Sequence, residues 1–118
     1  MTAESSAFSL LIGEELVGVT FVQDYITLQF YPYCGLTVYT PLTIRSGGKQ
    51  ATFGQEAFAN LLIAQINTLV TKVEFRRSDA LVLQFADEST ISVSVRAEDY
   101  RGPEAVVLNG KNDLIVVE

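Results

Sequence analysis

The chain contains no histidine. This removes the usual base of a serine or cysteine triad and the commonest ligand of zinc and other transition metals. There is one cysteine, Cys34, so no disulfide can close within the chain. With no imidazole to activate it, this thiol reads as a small apolar filler in a reducing compartment. Basic side chains are few, eight against fourteen acidic ones, for a net charge of −6. Nucleic acids and anionic membranes both attract positive charge, so neither partner is expected. The first fifteen residues hold Glu4, Glu14 and Glu15 and no lysine or arginine, unlike the basic start of a secretory leader. A cytoplasmic protein is the expectation. Residues 25–44 carry no charge and approach the length of a membrane span. However, Pro32, Gly35 and Pro41 interrupt them, and Tyr25, Thr27, Gln29, Tyr31, Tyr33, Thr37 and Tyr39 make them too polar for a lipid-facing helix. They read as two strands and a turn.

Nothing else supplies a strong chemical signature. Gly47-Gly48-Lys49 lacks the length, the following Ser or Thr and the helix of a phosphate loop. The segment 109–113 holds asparagine, aspartate and glycine but no ordered repeat of carboxylates, so it reads as a hairpin turn and not a calcium loop. No metal or cofactor is expected. Carboxylates are available for acid–base work, but Glu14, Glu15, Asp87, Glu88, Glu98, Asp99 and Glu104 fall mostly at expected turns and ends, where solvated charge is ordinary.

What is present is apolar content, 48% of 118 residues, enough for a core in a single domain spanning 1–118. The sequence also repeats itself. Ile12, Val19 and Phe21 recur 54 positions on as Ile66, Val73 and Phe75. Asp24, Leu28, Gln29 and Phe30 recur 55 positions on as Asp79, Leu83, Gln84 and Phe85. The extra residue falls in the turn, where Val22-Gln23 is matched by Arg76-Arg77-Ser78. Val17, Val19 and Phe21 alternate, as do Ile26, Leu28 and Phe30, which predicts strands with one buried face. Asp24 and Asp79 then sit at the bends, a role aspartate fills through its own backbone contacts. Phe58, Leu61, Leu62, Gln65 and Ile66 follow helical spacing, with Gly54 as a cap and Asn67 at the left-handed closing position. Phe8, Leu11 and Ile12, closed by Gly13, give a shorter version. Each half, approximately 8–40 and 58–96, reads as helix followed by three strands. Two further hairpins, 42–53 around Ser46 to Lys49 and 105–117 around 109–113, read as additions to the repeat.

These readings predict an α+β, strand-dominated fold with one main helix near 55–66. A pseudo-twofold duplication would assemble antiparallel sheets into a sandwich or a partly closed barrel. Function is then expected where the halves differ. The aromatic turn with Tyr31 and Tyr33 suits an interface. Arg76 and Arg77 place positive charge at a hairpin tip of an acidic protein. The third difference is the C-terminal segment from Glu98 onward, with Tyr100, Arg101 and Glu104.

That segment reads Glu98-Asp99-Tyr100-Arg101-Gly102-Pro103-Glu104-Ala105. With the Leu-Ile-Gly at 11–13 and the strand 81–85, it resembles a group of small uncharacterised bacterial proteins of similar length that end in a Glu-Asp-Tyr-x-Gly-Pro-Glu-Ala segment. The resemblance implies no activity, cofactor or catalytic residue. The missing residue types favour a non-enzymatic interaction module, binding a protein partner or itself as a homodimer. A specific form of this is an acidic inhibitor or immunity-type protein capping a basic target. The alternative is a small-ligand-binding protein or enzyme using a cavity between the halves, near Phe21, Phe30, Phe75 and Phe85.

Overall fold

The computed structural model describes residues 7–110 and 115–118. Along them run β1 (Glu15–Val22), β2 (Tyr25–Tyr31), β3 (Gly35–Val38), β4 (Leu42–Ser46), β5 (Lys49–Thr52), α1 (Phe58–Ile63), β6 (Val70–Arg76), β7 (Ala80–Phe85), β8 (Thr90–Ser94), β9 (Val106–Asn109) and β10 (Ile115–Val117). Alternation builds the strands as the sequence predicts. In β2, Ile26, Leu28 and Phe30 are buried, while Tyr25, Thr27, Gln29 and Tyr31 face the other way. In β7, Leu81, Leu83 and Phe85 are buried in the same manner. The strands form two five-stranded antiparallel sheets that do not close into a barrel.

The first sheet has the order β1-β2-β3-β9-β10, and the second has β6-β7-β8-β4-β5. The two supplementary hairpins are therefore not appendages. Each supplies the fourth and fifth strands of a sheet, and they are exchanged. The β4–β5 hairpin, which follows β3 in the chain, joins β8. The β9–β10 hairpin, which comes after β8, joins β3. The registers match as well: Leu36 faces Leu108 in one sheet, and Ile91 faces Ile44 in the other. Both edge strands bulge at the corresponding step, between Leu16 and Gly18 and between Val70 and Lys72. The β1–β2 turn is one residue shorter than the β6–β7 loop, where Ser78 takes φ 61°. The β4–β5 turn is closed by Gly47 and Gly48, both at positive φ, the geometry that suits a two-residue hairpin. The expected turn at 109–113 falls largely outside the described residues, as do Glu4 and Leu114.

The sheets meet where β1 and β6 begin. Gly13 N–H donates to Val70 O and Asn67 N–H to Leu16 O; Val70 N–H donates to Glu14 O and Leu16 N–H to Thr68 O. These four bonds form two reciprocal pairs, with a bridge between Glu15 and Leu69 at their centre. Gly13 and Asn67 can enter this crossing because both hold left-handed backbone, φ 88° and 82°.

The helix is shorter than the expected 55–66. It begins at Phe58, with Ala57 and not Gly54 at its N-cap. Residues 53–57 are spent on turns, and Gln55 uses its side-chain oxygen to accept the Thr52 N–H. Phe58 and Leu62 are buried, and Phe58 stacks on Phe53 and meets the edge of Phe21. The N-terminal helical signature closes, after helical backbone at Ala7 and Phe8, in a 3-10 turn, Ser9–Leu11, which leaves Ile12 exposed. Phe8 just before it packs on Phe75 of β6. One continuous core unites the inner faces of both sheets with Phe8, Leu11, Phe58 and Leu62.

Candidate interaction surface

The outer faces of the two sheets occupy matching positions but differ in chemistry. Three rows of side chains cross the first. One runs Thr20, Thr27, Thr37, Val107 and Val117. The next runs Gly18, Gln29, Gly35, Asn109 and Ile115. The third begins with Val22 and Tyr25 and continues to Tyr39, whose ring centroid lies 5.3 Å from that of Tyr25. None of these residues is charged. The Thr27 and Thr37 hydroxyls are 3.3 Å apart and bond each other, which partly satisfies their polar groups within the row. Ile115 and Val117 are 60% and 47% exposed.

Across the second sheet the corresponding rows run Glu74, Val82, Ser92, Thr43, Thr52 and Lys72, Gln84, Thr90, Arg45, Gln50, followed by Arg76, Ala80, Ser94. Lys72, Glu74, Arg76 and Arg45 thus stand where the first sheet has Gly18, Thr20, Val22 and Asn109. Four ionised side chains keep the second face hydrated, whereas these three rows of the first have none, and its charge is confined to Glu15 in the next row, opposite Tyr31.

The residues singled out from the sequence fall into three groups around these faces. Tyr31 and Tyr33 lie past the far end of the uncharged rows, 65% and 52% exposed. Their turn is held by Glu14, whose carboxylate is buried and accepts the N–H groups of Tyr33 (3.1 Å) and Cys34 (2.9 Å). Cys34 is buried beside it. Burial first, and the Glu14 carboxylate second, push its thiol up to about 11. The opposing turn uses Asp87, which accepts the Ser89 N–H and a bond from Gln65. Burial alone would raise the Asp87 carboxyl, but the hydrogen bonds from Ser89 and Gln65 outweigh it and hold the group below its ordinary value.

Arg76 is engaged locally, 3.2 Å from Glu74 and 3.4 Å from Asp79. Asp79 also holds Arg96. Arg77 stands exposed in the adjoining loop, and Tyr100 packs partly on the core beside Ser78 of that loop. Arg101 and Glu104 form the third group. With Asp24, Tyr39, Gly102 and Pro103 they line a cavity of about 430 Å³ at the rim of the first sheet. A smaller recess continues from it toward Thr52 and Phe53. Neither recess is lined by Phe21, Phe30, Phe75 or Phe85, and the last three are buried in the core.

Among the described residues, no cluster of three His, Cys, Asp or Glu side chains is placed to hold a metal, and no helix is long and apolar enough to cross a membrane. Comparison with family models, curated proteins and solved structures finds no match to this chain. The uncharged face escaped the sequence reading in part. Its β2 and β3 rows lie in the charge-free 25–44 stretch, but β9 and β10 join them from about 70 residues away, and no local pattern announces that pairing.

Proposed function

We propose that the protein is a non-enzymatic protein-interaction module whose contact surface is the outer face of the first sheet. The observation that carries this reading is the contrast between two faces of one topology. One has charges at Arg45, Lys72, Glu74 and Arg76, and the other has none at the matching positions. A solvent-facing sheet ordinarily carries polar and charged residues on its wet side. Exposed Val22, Ile115 and Val117 add apolar surface to these rows, and contiguous exposed apolar surface is what marks a contact site. We read the two sheets as an internal duplication, on the strength of their matched strand order, bulges and reciprocal bonds. On that reading one copy kept a solvated face and the other diverged. The single buried thiol supports a reducing, cytoplasmic setting.

The test uses a matched pair of variants. Thr37→Lys places a charge in the middle of the uncharged face, and Ser92→Lys places it at the corresponding position of the other. Each folded variant is immobilised beside the wild type and exposed to cell extract and to the free chain. The reading expects stoichiometric binding that Thr37→Lys abolishes and Ser92→Lys leaves intact. Equal binding by both variants, or a wild type that retains nothing, overturns it.

A small-ligand site is the second reading, favoured by the cavity that Asp24, Tyr39, Arg101 and Glu104 line. Native mass spectrometry of the purified chain decides it. A bound small molecule that is lost in Arg101→Ala supports this reading, and an unloaded chain counts against it.

A further inference from the structure

We infer that the cavity at the rim of the first sheet is a binding site for a zwitterionic amino acid with an apolar side chain. The inference rests on the small-ligand reading above and names the class of ligand. The two sheets offer an internal comparison. Asp24 stands where the second sheet has Asp79, and Tyr25 and Tyr39 stand where it has Ala80 and Ser94. At the second rim the charges are closed on one another. Asp79 lies 3.4 Å from Arg76 and 3.1 Å from Arg96, and Ser94 donates to Asp99. At the first rim, Asp24, Arg101 and Glu104 line one cavity of about 430 Å³. Among the described residues, no hydrogen bond or ion pair engages any of these three side chains. A guanidinium and two carboxylates thus share a cavity without meeting.

That set selects its ligand by charge. An amine alone would find the carboxylates but add a second cation beside Arg101. An anion alone would find Arg101 but sit beside two carboxylates. A zwitterion supplies both counter-charges from one molecule, so one loss of freedom serves both bonds. Its carboxylate suits the planar fork of Arg101, and its ammonium suits Asp24 and Glu104. The apolar group has its own place. Asp24, Tyr39 and Arg101 also line the smaller recess, of about 90 Å³, which continues to Val38, Pro41 and Phe53. Ligand sites span roughly 300–1,000 Å³, and the larger cavity lies toward the small end, as a single amino acid requires.

Calorimetric titration of the intact chain tests this with four probes. L-phenylalanine carries both charges and a ring. Phenylalaninamide lacks the carboxylate and N-acetylphenylalanine lacks the ammonium, so they also stand for the two ends of a peptide. Glycine lacks the ring. L-phenylalanine is expected to bind saturably, with a Kd on the order of 0.1–1 mM, and the other three at least about tenfold more weakly. Arg101→Ala should weaken L-phenylalanine about tenfold or more and leave phenylalaninamide unchanged. Asp24→Asn combined with Glu104→Gln should weaken L-phenylalanine and phenylalaninamide alike. Asp79→Asn at the second rim should bind as the wild type does, and thermal unfolding confirms that each variant is folded. A blocked probe or glycine that binds as tightly as L-phenylalanine overturns the ligand class and leaves the small-ligand reading standing. An equal loss in Asp79→Asn overturns the inference as well. So does the absence of saturable binding. The small-ligand reading then survives only if native mass spectrometry still finds a molecule that Arg101→Ala releases.

Discussion

Glu14 shows how a charged residue can be structural. Its position before a strand suggested an ordinary solvated end, yet its carboxylate is buried and satisfies two backbone N–H groups in the turn that follows β2. No sequence pattern marks this, because the partners are some twenty residues away and are backbone atoms that any sequence provides. Replacing Glu14 with alanine leaves both donors without that acceptor, one of them buried, and should cost about 1–3 kcal/mol in urea unfolding. Cys34 is the reverse case, where composition alone gave the correct role. A thiol moved from an ordinary 9.0 to about 11 is some 100-fold poorer in thiolate at pH 8. A thiol reagent should therefore label Cys34 at least that much more slowly in the native chain than after unfolding. The sign for stability follows from the raised value. The thiol's contribution is fully present below pH 9, where both states are protonated, and is lost between 9 and 11 as only the unfolded thiol ionises. Comparing the urea midpoints of wild type and Cys34→Ala across that range isolates this loss.

Among the elements, those set by local chemistry were legible and those set by distant pairing were not. The alternation of β2 and β7, the two-glycine hairpin and the left-handed Gly13 and Asn67 all follow from spacing and residue type, whereas Asp79, expected to brace its turn through backbone contacts, instead holds the Arg76 and Arg96 side chains. The helix was overestimated because apolar spacing continues past Ile63, while the backbone must already be turning toward Asn67. The exchange of the two hairpins was invisible for another reason. Residues 42–53 and 105–117 specify hairpins, but nothing in them specifies which sheet each completes. The exchange makes a quantitative demand. Leu108 and Ile44 occupy matching, fully buried positions opposite Leu36 and Ile91. Leu108→Ala and Ile44→Ala should each cost about 2–5 kcal/mol. A loss below about 0.5 kcal/mol for Leu108→Ala, the range of inconsequential surface changes, would make the C-terminal hairpin a loose appendage.

At the scale of the whole molecule, the account turns on asymmetry between two similar sheets. The candidate residues drawn from the sequence, Tyr31, Tyr33, Arg76, Arg77, Tyr100, Arg101 and Glu104, surround the sheets and do not form one site. Arg76 is occupied by Glu74 and Asp79, and surface pairs of this kind contribute little to stability or specificity. The uncharged face forms only when strands from both ends of the chain are laid side by side, which is why its full extent belongs to the fold and not to any segment.

The most direct measurement is the backbone amide spectrum of the isotope-labelled chain as unlabelled chain and then unlabelled cell extract are added. The account predicts shifts confined to the first sheet and centred on Thr27, Thr37 and Val107, with Thr43, Gln84 and Ser92 of the second sheet unmoved. Shifts centred on the second sheet, or a spectrum unchanged by either addition, would contradict it.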